Sequence, residues 1–291
     1  MSSLDKGKSI FADLQTQHSI AASIIVSTYN SPSFLDLVLH GYAQQTSQNF
    51  EVIVADDGSL PATKELVDSW IKKGVFPIKY VWQEDDGFQK NRILNAALRL
   101  AVSDYILVAD GDCIPLPDYL EQHLQLREPG SFISGGVVHA SRAVTESITL
   151  DDVTSRRCFT RDWLHDLGMK PSRTRKFSIK KAYSRFMDHF TPTGATWDGG
   201  SSSGWKKDIV AVNGFDERLQ HGGEDRELGE RLINAGIRPI QCRHRAVALH
   251  LWHERPYKKP EMKAFVDQVR KEVRSKKLIW TEHGLKHGPQ A

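Results

Sequence analysis

The sequence predicts an α/β protein in which a mostly parallel central sheet is flanked by helices and followed by a C-terminal helical extension. Three observations predict it. Short, continuous apolar runs alternate with helical hydrophobic periodicity over the first 110 residues, which is the rhythm of strand–helix–strand units. The runs are apolar at every position, as burial on both faces of a parallel sheet demands. Three polar or acidic clusters, Thr28-Tyr29-Asn30, Asp56-Asp57 and Asp110-Gly111-Asp112, close three of these runs. Ligands of such sheets bind at the carboxyl ends of the strands, so the clusters are expected to share one site.

The elements follow in order. Residues 23–29 read as a buried strand, and Ser31-Pro32 starts a helix, because Pro is tolerated in the first turn. Phe34, Leu35, Val38, Leu39 and Tyr42 then repeat at helical spacing. Residues 50–55 form a second strand, Pro61 opens a helix to about Lys73, and residues 78–82 form a third strand. Residues 91–101 place Ile93, Leu94, Ala97, Leu98 and Ala101 on one helical face, and residues 105–109 are the fourth strand. Residues 151–196 lose the rhythm and are expected to be helices and loops beside the site. Pattern returns at Trp197-Asp-Gly-Gly-Ser-Ser-Ser-Gly-Trp205. A helix over 224–235 stops at Gly236, a short strand over 246–249 leads into His250-Leu-Trp-His253, and Pro260 opens an amphipathic helix. Its apolar stripe is Met262, Phe265, Val266, Val269 and Val273.

Composition bounds the function. With 291 residues, 26% charged and 40% hydrophobic, the chain has an ordinary globular balance and room for one large α/β domain or two small ones. No run approaches the roughly 18 apolar residues of a membrane span. The first 20 residues lack the apolar stretch of a secretory signal. Cys113, Cys158 and Cys242 are scattered, which argues for a reducing compartment and against a disulfide scaffold or zinc cage. The cytoplasm is the expected location. The net charge of +3 is unevenly spread, with ten Lys/Arg against two Asp between Val153 and Phe186 and a Lys-rich tail from Lys258. No nucleic-acid motif accompanies the basic segment, so nucleic acid is not an expected partner. The segment reads either as a solvated basic surface or as one that attracts anionic lipid or a pyrophosphate-linked acceptor. The C-terminal helix fits a peripheral contact with the inner face of an anionic membrane in the same way.

Asp110 and Asp112, two residues apart on an extended segment, point the same way. Their carboxylates can present oxygens to one hard divalent cation, Mn2+ or Mg2+, able to bridge a diphosphate. The same pattern also serves as an acidic turn, but its position at a strand end favours the cation.

At this point a resemblance emerges. Val26-Ser-Thr-Tyr-Asn30, Val54-Ala-Asp-Asp-Gly-Ser59 and Gln83-Glu-Asp-Asp-Gly-Phe-Gln-Lys-Asn-Arg-Ile-Leu-Asn95 resemble the donor half of family 2 glycosyltransferases. Gly199-Gly200, Asn213-Gly-Phe-Asp-Glu217, Gly222-Gly-Glu-Asp225 and His250-Leu-Trp-His253 resemble the acceptor-side block of β-1,4-galactosyltransferases and bacterial chondroitin polymerases. The ordered motifs run from Ser23 to His253. The resemblance implies a GT-A, Rossmann-like fold with a donor half over 21–115 and an acceptor half over 116–255. A lead segment (1–20) precedes it and a basic amphipathic helix and tail (256–291) follows. The implied activity is metal-dependent, inverting transfer from a nucleotide-sugar donor, expected to be a UDP-sugar, to a glycan or lipid-linked glycan in cell-surface polysaccharide or lipopolysaccharide synthesis.

The resemblance also implies roles. Thr28, Tyr29, Asn30, Asp57, Phe88 and Gly111 belong to the donor side, with Asp57 accepting from the uracil ring. Lys90 and Arg92 lie near the ribose and diphosphate. Asp112 is the main metal ligand, Asp110 reaches the ribose or the metal with its water, and His250 is the distant protein ligand. His253, three residues on, need not reach the same ion. Asp225 is the general base, Glu224 holds acceptor hydroxyls, and Gly222-Gly223 lets a sugar approach the backbone. The galactosyltransferases carry a sugar-stacking Trp where this chain has His221, so Trp205 or Trp197 is the expected substitute platform. Other readings stand beside these. Asp57 can close an Asx-turn, Lys90 and Arg92 can be a solvated helix face, a strand-end His is often packed, and Glu224-Asp225 suits a helix N-terminus. Two other functions share the features. A sugar nucleotidyltransferase would carry a Gly-rich, Arg-containing loop after the first strand, where this chain has Thr28-Tyr-Asn-Ser-Pro32. A non-catalytic nucleotide-sugar- or glycan-binding protein would not need both acidic motifs intact.

Overall fold

The computed structural model describes residues 20–178, 181–254 and 260–287. Strand β1 (Ala22–Thr28) lies between β2 (Phe50–Asp56) and β4 (Tyr105–Asp110), parallel to both, and β3 (Ile78–Trp82) extends the sheet parallel to β2. Every residue of β1 and β2 is buried. Because side chains alternate along a strand, the continuous apolar runs feed two cores. Ile24, Val26, Val52 and Val54 pack with Leu35 and Val38 of α1 (Pro32–Ala43) and Val67 and Trp70 of α2 (Pro61–Lys73). Ile25, Ile53 and Val108 face the opposite way, against Ile93, Leu94 and Leu98 of α3 (Lys90–Leu100). Helices α1 and α2 begin on proline without a side-chain cap, as the Ser31-Pro32 and Pro61 signals predict.

The second half of the chain adds to the same sheet and starts another. After β5 (Cys113–Pro115) and α4 (Tyr119–Leu126), β6 (Ser131–Ser134) and β7 (Gly136–His139) follow in quick succession. Strand β8 (Ser201–Trp205) runs antiparallel between β4 and β6, and β9 (Arg238–Gln241) pairs parallel to β6, giving the order β3-β2-β1-β4-β8-β6-β9. A three-stranded sheet, β5-β10-β7, is centred on β10 (Val247–His250). The chain crosses between the sheets at Gly135-Gly136. A Cβ there would meet Ser201 Oγ at 2.0 Å and the Arg243 carbonyl oxygen at 2.2 Å respectively, so only glycine permits the crossing. Strand β8 buries three serines, and their hydroxyls are used: Tyr105 Oη and His123 Nδ1 each meet Ser203 Oγ at 2.7 Å, and Tyr119 Oη donates to Ser201 Oγ at 2.8 Å.

Residues 142–189 form short helices, α5 (Arg142–Ser147), α6 (Leu150–Thr154), α7 (Arg161–Asp166), α8 (Pro171–Thr174) and α9 (Lys181–His189). Then come α10 (Lys206–Ala211), α11 (Glu224–Asn234) and α12 (Pro260–Lys276). The apolar stripe of α12 is narrower than its sequence suggests. Val266 and Val273 are buried against the protein while Phe265 is exposed, and Arg270 and Arg274 each bond Glu230 of α11 at 2.7 Å. Among the described residues no helix is long and apolar enough to cross a membrane. Residues 1–19 of the lead segment and the last four of the tail lie outside the described residues.

The turn that follows α10 is held to α11 by one buried ion pair. Arg231 is fully buried, bonds Glu227 through Nε and Nη2 at 2.7 Å, and donates to the carbonyls of Val212 and Gly214. Burial pushes the Glu227 carboxyl up and Arg231 opposes this. Removing the arginine leaves a buried carboxylate and two carbonyls unpaired. Arg231→Met is therefore expected to destabilise the fold by about 3–5 kcal/mol, and Glu227→Gln/Arg231→Met by less. Urea unfolding of the three proteins checks this.

Candidate active site

The carboxyl ends of β1, β2 and β4 open into a cleft of about 800 Å³, bounded across by the N-terminus of α11 and the end of β10. The turn after β4 is drawn against β1. Gly111 N donates to the Ser27 carbonyl at 2.7 Å, and a Cβ at Gly111 would come within 2.9 Å of that oxygen. Asp110 Oδ1 thereby meets Ser27 Oγ at 2.9 Å and Lys90 Nζ at 2.5 Å. At the end of β1, Asn30 sits at φ +46° and ties two strand-end loops together, donating through its backbone N to Ser59 Oγ and accepting from Leu60 N at Oδ1. Tyr29 Oη donates to Asp85 at 2.9 Å, and the Phe88 ring lies edge-on to His221 at 5.6 Å. Thr28 Oγ1 is buried and has no hydrogen-bond partner among the described residues. An orphaned hydroxyl lining a cleft fits contact with a ligand.

A second wall carries candidate metal ligands. Antiparallel pairing of β10 with β5 sets His250 opposite Cys113, and Leu251 N donates to the Asp112 carbonyl at 2.8 Å. His250 Nε2 then lies 3.8 Å and His253 Nε2 3.1 Å from the Asp112 carboxylate. Ligand atoms of Asp112, His250 and His253 lie within 4.8 Å of one another. Both histidines donate Nδ1–H to backbone carbonyls, of Leu251 at 2.6 Å and Glu254 at 2.8 Å. In the neutral ring this turns the Nε2 lone pair toward the carboxylate. Three lone-pair donors facing one another, with both imidazoles fixed by carbonyls, fit a divalent cation. An overlapping set, Asp110, Asp112 and Cys113, fits less well, because burial pushes the Cys113 thiol far up and keeps it protonated. Burial alone would raise Asp112, yet His253, His250 and Lys90 bring it below the usual carboxylate range.

The floor is acidic around one lysine. Asp225 Oδ2 accepts from Gly199 N and Oδ1 from Arg226 N, both at 2.8 Å. Glu224 folds back, its Oε2 accepting from Gly222 N and Gly223 N at 2.9 Å. These glycines have φ of +137° and +115°, a region open to glycine. Asp198 accepts from Gly200 N at 3.0 Å. Burial first, then the neighbouring charge of Asp225, raises both Glu224 and Asp198. Burial would lower Lys90, but Asp110, Glu224 and Asp225 together hold it above its ordinary value.

Most residues singled out from sequence thus line one cleft. Three do not. Trp205 pairs with Tyr105 at the far end of β4, donates to the Glu128 carbonyl and packs on Tyr105 at 5.3 Å, so it cannot serve an acceptor. Trp197 is fully buried between Phe132 and Phe215. Arg92, about 200° around α3 from Lys90, is exposed and lies near Glu217. Conversely, His253 joins the Asp112 group, and Asp198 and His139 line the cleft without having been singled out. Asp198 stands inside the Trp197-Asp-Gly-Gly run, a signal that was available. His139 ends β7, a strand with no motif.

Comparison with known proteins matches residues 23–187 to the glycosyl transferase family 2. Residues 181–261 match the family described as the N-terminal domain of galactosyltransferase. Curated relatives include the chondroitin synthase of Escherichia coli, 28% identical over 80% of this chain and 34% of the relative. Another is the validoxylamine A glucosyltransferase of Streptomyces hygroscopicus subsp. jinggangensis, 28% identical over 83% of this chain and 58% of the relative. The chain thus spans between a third and three fifths of the length of these two. Among solved structures, a mannosyltransferase from Pyrobaculum calidifontis in complex with GDP-Man and Mn2+ superposes with TM-score 0.55 at 20% identity, over 83% of this chain and 59% of that one. S. aureus TarS 1-349 in complex with UDP-GlcNAc superposes with TM-score 0.58 at 16% identity, over 88% and 69%. These similarities establish the GT-A-like α/β architecture.

Asp57 supplies a pH signature. Its oxygens accept from Gln83 Nε2 at 2.5 Å and Gln89 N at 2.9 Å, yet burial, with Asp85 and Asp56 adding, pushes it up to about 6. An acid whose pKa is higher folded than unfolded binds more protons when folded, so its stabilising effect is present at low pH. That effect is lost as pH rises from the ordinary value of 3.8 through about 6. Asp57→Asn is expected to remove this component. Urea midpoints of both proteins at pH 4.5 and pH 7 should show a smaller pH-dependent loss in the variant.

Proposed function

The chain belongs to glycosyl transferase family 2, and on that premise we propose that it moves a sugar from a UDP-linked donor to a hydroxyl of a glycan or lipid-linked glycan, with inversion, during synthesis of a cell-surface polysaccharide or lipopolysaccharide. One observation carries this reading. A single cleft joins strand-end nucleotide residues and the Asp112–His250–His253 group to Asp225 at the start of α11.

In this reading residues 21–115 form the donor half and 116–255 the acceptor half. Thr28, Tyr29, Asn30, Asp57 and Phe88 hold the nucleoside, with the unpartnered Thr28 hydroxyl available to the ligand. Asp112, His250 and His253 hold Mn2+ or Mg2+, and Asp110 reaches the ribose or the ion's water. When bound, the cation offsets the charge that grows on the departing diphosphate. Lys90 adds a fixed positive charge on the same side.

Asp225 is the general base. Two backbone amides fix its carboxylate and leave lone pairs for the acceptor hydroxyl. As the acceptor oxygen bonds to the anomeric carbon, its proton passes to Asp225. The bond from that carbon to the phosphate oxygen breaks, and its electron pair leaves with the nucleoside diphosphate. Glu224, occupied with Gly222 and Gly223, shapes the loop on which an acceptor sugar rests beside His221.

We place the protein in the cytoplasm, peripheral on the inner membrane face, a reading supported by three free, buried cysteines. Because α12 spends its apolar face on α11, membrane contact falls to cationic outer surfaces.

Two variants separate chemistry from binding. Asp225→Asn keeps size and shape but cannot take a proton at neutral pH, so turnover should fall about 10²–10⁴-fold with UDP affinity nearly unchanged. Asp112→Ala should instead abolish the Mn2+-dependent part of UDP binding. Calorimetry with and without Mn2+, beside nucleotide release from a panel of UDP-sugars, reads both. Normal turnover in the first variant, or unchanged metal-dependent binding in the second, contradicts the assignment.

A further inference from the structure

A second cavity of about 300 Å³ lies beside β7, and Val137 and His139 line both it and the main cleft. Its remaining wall is basic, with Arg173, Arg175, Lys176 and His244. Lys176 Nζ donates to the Val137 carbonyl at 3.1 Å, and neither it nor Arg173 nor Arg175 forms an ion pair among the described residues. Arg243 stands close enough to lower both Lys176 and His244. The facing carboxylate is already committed. Asp188 Oδ1 accepts from His244 N at 2.8 Å and His244 Nδ1 at 3.0 Å, and Oδ2 accepts from Arg245 Nε at 2.7 Å.

The cavity therefore gathers cations with no carboxylate among the described residues that line it. Lys176 itself is held down to about 8 by burial first and by Arg243 second, against the pull of Asp188 and Asp198. Clustered cations at a shaped concavity recognise anions, and guanidinium groups suit the planar or tetrahedral oxygens of carboxylate and phosphate. A volume near 300 Å³ is about that of the smallest ligand pockets.

We propose that this cavity is an acceptor subsite for an anionic group, a phosphate or a uronate carboxylate, seated one pocket away from the hydroxyl that reacts. The proposal rests on the glycosyltransferase reading of the main cleft and deepens it: the acceptor is an anionic molecule, tethered across the His139 ridge. Arg173 and Arg175 clamp the anion, and Lys176 supplies charge from beneath.

The test compares wild type with Arg173→Gln/Arg175→Gln, both exposed positions whose loss leaves the core intact, and with Lys176→Gln. Each protein is titrated with inorganic phosphate and with methyl glucuronide, in EDTA at constant ionic strength, by NMR. UDP binding with Mn2+ and thermal unfolding are measured on the same samples. Wild type should bind at least one anion saturably, and the double variant should bind it about tenfold or more weakly, with UDP affinity within about twofold. Tighter phosphate binding assigns a phosphate-bearing, lipid-linked type of acceptor, and tighter glucuronide binding an acidic glycan. Absence of saturable binding to either anion, or equal binding in the double variant, overturns the subsite. Failure of wild type to bind UDP with Mn2+ strikes the main-cleft reading instead, and the anion titration still stands or falls separately.

Discussion

A partly buried lysine holds the cleft together. Lys90 is the first residue of α3, its side chain is 15% exposed, and it bonds Asp110 at 2.5 Å. Asp110, Glu224 and Asp225 all raise its affinity for a proton. Asp198 stands close by, its carboxyl pushed up by burial first and by Asp225 next. Like charges in a partly desolvated site repel strongly, so this acidic floor needs a fixed cation. Lys90 also links the two ends of the cleft, because Gln89, next to it in the chain, donates to Asp57 beyond the end of β2. Removing the charge would leave Asp110, Glu224 and Asp225 without the cation they share.

Two backbone seams bring the other groups within reach. Gly135-Gly136 lets the chain leave the large sheet for the small one, and β10 then pairs with β5 so that His250 lands beside Asp112. Residues 138 positions apart thus share a few ångströms because of strand register, and the carbonyls that fix both imidazoles come from the same short segment. At the other edge of β10, His139 pairs with His250 in register, their rings 4.7 Å apart. The proposed metal wall and the proposed anion subsite therefore adjoin across the His139–His250 pair of one small sheet.

The first half of the chain was legible in the sequence because β1, β2 and β4 are buried on both faces and two of its three helices start on proline, so apolar runs and punctuation mark every boundary to within a residue or two. The acceptor side was less so. Strand β8 is buried through three serines whose hydroxyls are paired, and hydrophobic patterning is blind to such a strand. Strands β5, β6 and β7 have three or four residues each, too short for any period to register. Trp205 shows the corresponding error: placed beside a glycine-rich motif in sequence, it is carried by antiparallel β8 to the opposite end of the sheet. Arg92 failed on helical phase, since the motif spans a turn of α3 and, of its two cations, Lys90 lines the cleft while Arg92 is exposed. His139 and the pairing of His253 with Asp112 depend on register between distant segments, which one sequence does not encode locally.

The proposed direct displacement with Asp225 as base makes a stereochemical demand that needs no knowledge of the acceptor. Water can stand in for the acceptor hydroxyl, so whichever UDP-α-sugar the protein hydrolyses with Mn2+ releases a sugar whose first-formed anomer records the path. Proton NMR faster than mutarotation reads it. The account predicts the β-anomer as the initial product, its formation slowed in step with turnover by Asp225→Asn. Initial release of the α-anomer would contradict a single displacement and with it the role assigned to Asp225.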